Sequence, residues 1–79
     1  MRLISKLDRY LEDKNYEIII KENIVNIINF KEIIDFSINK ISIKYQEKVV
    51  NIEGNDLVIT KMLDNEVLIT GNISLIRII

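Results

Sequence analysis

Apolar and polar residues alternate with a period of two through most of residues 16–79, the signature of short β-strands, and with a helical period only at the start of the chain. Over residues 2–13 the apolar positions Leu3, Ile4, Leu7, Tyr10 and Leu11 fall on one face of a helix, so residues 1–14 are expected to form an amphipathic helix or arm. Arg9 and Asp13 are spaced to pair on its outer side, and Lys14-Asn15 is a plausible stop. A helix of this length is marginal alone in water and is expected to pack on the sheet.

Residues 16–79 read as about eight short antiparallel strands, a mainly β domain of meander-like sandwich or roll architecture. The first hairpin joins residues 17–21 and 24–28 through Glu22-Asn23, and a second turn is expected at Lys31-Glu32. Ile41, Ile43 and Tyr45 alternate with Ser42 and Lys44; a turn at Gln46-Glu47 sets Ile43 opposite Val50 and Ile41 opposite Ile52. In residues 48–79 a short pattern repeats, Val50, Ile52, Gly54 and Asn55 recurring as Val67, Ile69, Gly71 and Asn72. Each Gly-Asn pair suits a two-residue hairpin, so turns are expected at Gly54-Asn55 and at Gly71-Asn72.

That register pairs Ile52 with Leu57 and Val50 with Ile59. With Leu63, Asp64 and Asn65 as a three-residue loop, Ile59 meets Ile69 and Lys61 meets Val67. The second Gly-Asn turn then sets Ile76 opposite Val67 and Arg77 opposite Glu66. The expected core face is Val50, Ile52, Leu57, Ile59, Val67, Ile69, Ile76 and Ile78. Val58, Leu68, Ile73 and Leu75 fall on the other side as a candidate interaction surface, because a sheet apolar on both faces needs cover on both.

Composition narrows the chemistry. Cysteine and histidine are absent, which removes disulfides, thiol nucleophiles, the usual zinc sites and the commonest general base. Isoleucine makes up about a quarter of the chain, far above ordinary usage. The net charge is −1 and the basic residues are scattered, so no nucleic acid partner is expected. Unbroken apolar runs reach only three or four residues, so neither a transmembrane helix nor direct membrane insertion is expected, and the N-terminus lacks a signal peptide pattern. A cytoplasmic location follows as an expectation.

Two acidic groups flank the proposed turns: Glu53, Asn55 and Asp56 at one, and Asp64, Asn65 and Glu66 at the loop between the hairpins. Oxygen ligands at turns are one route to binding a metal ion or small ligand, and this is the alternative functional reading. Neither group has the ligand spacing of a known calcium loop, and turn-forming residues on a solvated edge are the simpler account. Glu53 and Asp56 carry no sign of the burial that splits an acid from a base. The aromatic residues read as core packing. No catalytic residue, metal ligand or cofactor site is therefore assigned. At 79 residues the core is small, and the final strand, residues 73–79, is apolar. Self-association through its edge, or through Val58, Leu68 and Leu75, is expected.

Beyond these physical arguments, Asn29-Phe30-Lys31 followed by Ile33-Ile34-Asp35-Phe36-Ser37, then Ile41 and Ile43, then Ile52-Glu53-Gly54 with Leu57 and Ile59 form an ordered set. It closes with residues 66–73, Glu-Val-Leu-Ile-Thr-Gly-Asn-Ile. This pattern resembles the YabP/YqfC family of sporulation proteins, more closely its YqfC branch, over residues 16–79. The resemblance implies a non-enzymatic protein made in the mother cell during sporulation. It also implies a place at or near the forespore membrane, beside a membrane protein of the same pathway, and it brings no ligand or catalytic residue.

Overall fold

The computed structural model describes residues 16–79, so the helix or arm expected over residues 1–14 lies outside the described residues. The described chain forms one open antiparallel sheet of six strands: β1 (Glu17–Lys21), β2 (Ile24–Ile28), β3 (Glu32–Phe36), β4 (Lys40–Tyr45), β5 (Lys48–Met62) and β6 (Glu66–Ile78). Their order across the sheet is β1-β2-β6-β5-β4-β3. The fold is thus mainly β, with six strands in place of the expected eight.

The difference lies in the C-terminal half. Gly54-Asn55 and Gly71-Asn72 are not hairpin turns: they lie inside two long strands, of 15 and 13 residues, and pair with each other, Gly54 with Ile73 and Asn55 with Asn72. The expected pairs Ile52–Leu57, Val50–Ile59, Ile76–Val67 and Arg77–Glu66 are replaced by Ile52–Ile76, Val50–Ile78 and Asn51–Arg77. A β-bulge reverses the phase of side-chain alternation just as a hairpin does. In β5 the reversal occurs around Asp56, whose φ is 54°, and in β6 at Ser74, the extra residue between the pairs Gly54–Ile73 and Glu53–Leu75 where the register shifts.

Glycine is required at both places by close approach. A Cβ on Gly54 would collide with the carbonyl oxygen of Asn72, and one on Gly71, at φ 142°, would lie 2.7 Å from the carbonyl oxygen of Asp56. The backbone groups that the bulges free are taken up by neighbouring turns. Gly54 N and Leu57 N donate to the carbonyls of Asn39 and Ile38 in the β3–β4 loop, and Gly71 N donates to Asn23 in the β1–β2 turn.

The other expected registers hold. Glu22-Asn23 joins β1 to β2, with Asn23 at φ 62°, and Gln46-Glu47 joins β4 to β5 with Ile43 on Val50 and Ile41 on Ile52. Leu63, Asp64 and Asn65 form the loop between β5 and β6, with Ile59 on Ile69. A bulge at Thr60 shifts the next pair, so Val67 meets Met62 and Lys61 meets Leu68. Lys31-Glu32 is no hairpin turn: residues 29–31 carry the chain from β2 to β3, strands four places apart in the sheet.

That connection forces the sheet to curl. Four strand spacings amount to about 19 Å in a flat sheet, whereas the four steps from Ile28 to Glu32 reach at most about 14 Å. Asn29 N donates to Asn65 and Lys31 N to Lys44, which ties the connection to both ends of the structure. The curl places two layers around one core. The first is β1, β2 and residues 57–70 of the long hairpin; the second is β3, β4 and the remainder of β5 and β6. Val25, Ile27, Ile41, Ile43, Val50, Ile52, Val67 and Ile69 are fully buried between them, each stabilising the fold by about 1.5–3 kcal/mol relative to exposure. Leu57 is buried with them, and Ile59 and Ile76 pack against them. Ile78 does not join the core: it lies at the open end of β6 and is 46% exposed.

Candidate functional site

The candidate interaction residues are distributed over both layers. Val58 and Leu68 lie on the outer face of the first layer, Leu75 on the outer face of the second beside Glu53, and Ile73 packs against the core. Ile73 changes sides because the alternation runs unbroken through Gly71 instead of turning there.

Directly paired residues share a face of the sheet, so the register gives each outer surface row by row. On the second layer the rows are Glu32–Lys44–Val49, Asp35–Ser42–Asn51–Arg77 and Lys40–Glu53–Leu75. Opposite charges face each other in two of them, each worth about 0.2–1 kcal/mol, and Ser42 Oγ donates to Asn51 Oδ1 at 2.6 Å. This is a polar, charge-paired face with Ser42 buried at its middle.

The first layer is different. Its rows are Lys21–Ile24–Thr70–Val58, Ile19–Asn26–Leu68–Lys61 and Glu17–Ile28–Glu66. Ile19, Ile24, Ile28 and Leu68 form an apolar patch, half-buried by their neighbours, with Val58 at its margin 53% exposed. Asn26 stands in the middle of it. Its Nδ2 donates to Glu66 Oε2 at 3.0 Å, whereas its Oδ1 is buried and accepts no hydrogen bond. Leaving a buried acceptor unsatisfied costs about 1–3 kcal/mol. Thr60 and Thr70 share a hydroxyl hydrogen bond of 2.7 Å on the same face.

Sequence reasoning picked Val58 and Leu68 from this patch and missed Ile19, Ile24, Asn26 and Ile28. The signal was present: β2 reads Ile-Val-Asn-Ile-Ile, apolar on both parities, as in the C-terminal strands.

The acidic residues do not converge. Glu53 lies in the charged row with Lys40, Asp56 is exposed at the bend, Asp64 and Asn65 occupy the far loop, and Glu66 is engaged by Asn26. Among the described residues no three Asp or Glu side chains are grouped to hold a metal ion. A groove of about 430 Å³ runs between the β1–β2 turn and residues 72–76 of β6, with Lys21, Glu22, Asn23 and Ser74 on its walls. No helix of the described residues is long and apolar enough to cross a membrane. Comparison with family models, with curated proteins and with solved structures gives no match.

Proposed function

We propose that this chain is a non-enzymatic structural or adaptor protein of endospore formation. It acts in the mother cell, at or near the forespore membrane, with a membrane protein partner and with further copies of itself. Two things support the reading. The ordered motif set of residues 29–73 resembles the YabP/YqfC family. The observation that carries the adaptor role is the asymmetry of the two outer faces, one lined with paired charges and the other with Ile19, Ile24, Ile28 and Leu68. A protein whose work is binding needs such a face, and a small domain gains nothing from leaving it bare.

Deletion of the gene in its native host is the test. Vegetative growth should be unchanged while the yield of heat-resistant spores falls, and a wild-type copy should restore it. A deletion strain that sporulates normally would contradict the reading.

A further inference from the structure

We infer that β1 of one copy adds to the free edge of β6 of the next, so that the chain assembles head to tail through its sheet. The inference rests on the reading of this chain as a protein that binds further copies of itself, and it names the two edges that meet. It does not depend on the place of the chain in sporulation.

Among the described residues the sheet leaves unpaired edges along β1, β3, residues 58–62 of β5 and residues 72–78 of β6. Two of these are blunted. β3 is broken by a bulge at Ile34 and carries Glu32 and Asp35, and the free stretch of β5 has a bulge at Thr60 beside Lys61. β1 and residues 75–78 of β6 instead keep an unbroken register with their neighbours. Val49 and Ile79 exchange both backbone hydrogen bonds, so Arg77 and Leu75 also bond to β5, and the N–H and C=O of Ile76 and Ile78 point to the open side. In the first layer Gly71 N donates to Asn23 and Asn29 N to Asn65. Ile24, Asn26 and Ile28 therefore bond to β1, which leaves the free backbone groups of β1 on Ile18 and Ile20.

When β1 of a second copy is laid antiparallel with its Ile18 opposite Ile76, three requirements agree. Free backbone groups of each strand meet free groups of the other. Inner side chains continue the inner face: Ile18 and Ile76 each pack against the core of their own copy, and Tyr16 comes opposite Ile78, residues 44% and 46% exposed in the single chain. On the outer face Glu17 comes opposite Arg77, which ends the row Asp35–Ser42–Asn51–Arg77 with no acidic residue on the adjacent strand. A shift of one residue sets free backbone groups against used ones, and a shift of two parts Glu17 from Arg77. Ile20 of the second copy reaches the groove beside residues 72–76, whose wall already holds Ile20 of the first. The two edges differ, so each contact leaves one of each kind free and the assembly extends. So short a ladder makes each contact weak and concentration-dependent.

The full-length chain has no cysteine, so introduced thiols report geometry without interference. Glu17 and Arg77 are both exposed, and their pairing is of the kind without mutual hydrogen bonds, which brings Cα atoms to about 4.5 Å, within disulfide range. Glu17→Cys and Arg77→Cys should each stay uncrosslinked alone on mild oxidation and form a covalent dimer when mixed. Ile19→Cys mixed with Leu75→Cys should do the same, which fixes the antiparallel direction. Wild-type protein should sediment as a reversible series extending beyond the dimer between micromolar and near-millimolar concentration. Arg77→Glu should weaken association by roughly tenfold, and adding Glu17→Arg to the same chain should restore it, with the circular dichroism of the fold unchanged. A wild-type chain that stays monomeric throughout overturns the proposal. So does Arg77→Cys crosslinking with itself and not with Glu17→Cys, which would pair β6 with β6, and so does association indifferent to Arg77→Glu. Any of these failures leaves the gene-deletion result to be judged separately.

Discussion

Gly54 and Gly71 are the residues on which the long hairpin depends, and the reason is space. The carbonyl of Asn72 occupies the position a Cβ on Gly54 would need, so the strand must shift to accept any side chain there. Gly54→Ala is therefore expected to destabilise the protein by about 3 kcal/mol, and Gly71→Ala, at φ 142°, by a comparable amount. Thermal or urea unfolding of the two variants checks this. A hairpin turn at either site would predict a smaller effect of substituting the adjoining asparagine, which tolerates the left-handed region. In the core, Ile52→Asp and Ile69→Asp should each unfold the domain, since both side chains are fully buried and a carboxylate placed there has no partner. Thr60→Asp, on the exposed outer face, should cost no more than the hydroxyl bond to Thr70, about 1 kcal/mol. Equal loss of structure in all three would mean the faces are misassigned.

At the scale of elements, the hairpins with short, exposed turns were legible in the sequence. Glu22-Asn23 sits between two β-branched runs, and Asn23 takes the positive φ for which asparagine is suited. Gln46-Glu47 was placed by the apolar match of Ile41 and Ile43 with Ile52 and Val50, not by turn chemistry. Gln46 adopts φ 55°, an unfavourable angle for its side chain, so Gln46→Gly should stabilise the protein by about 0.5–1 kcal/mol, measurable as a raised melting temperature. The Gly-Asn repeat misled for a physical reason. Val50 and Ile52 differ in parity from Leu57 and Ile59, and Val67 and Ile69 from Ile76 and Ile78. A tight turn and a bulge both produce that switch, and local sequence does not separate them. Only the long-range pairing does, with Gly54 against Ile73 and each bend bonded to the turn of a distant hairpin. The edge strands were equally hard to rank. β3 is interrupted by a bulge at Ile34 and carries Glu32 and Asp35, features that blunt an open edge.

For the whole molecule, the core was largely legible, because seven of the eight expected core residues are buried or packed against buried ones. The curl was not, since it follows from a three-residue connection between strands whose separation only the sheet order reveals. The candidate face was half legible: Val58 and Leu68 were visible as apolar residues off the core, whereas Asn26 acquires meaning only when the register surrounds it with Ile19, Ile24, Ile28 and Leu68. Both layers and both faces depend on β5 and β6 running unbroken through their bends. The cross-strand NOE pattern of the folded protein tests this most directly. The structure predicts contacts of Ile52 with Ile76 and of Ile59 with Ile69 in one species, together with Asn55 against Asn72. Contacts of Ile52 with Leu57 and of Val67 with Ile76 would contradict it.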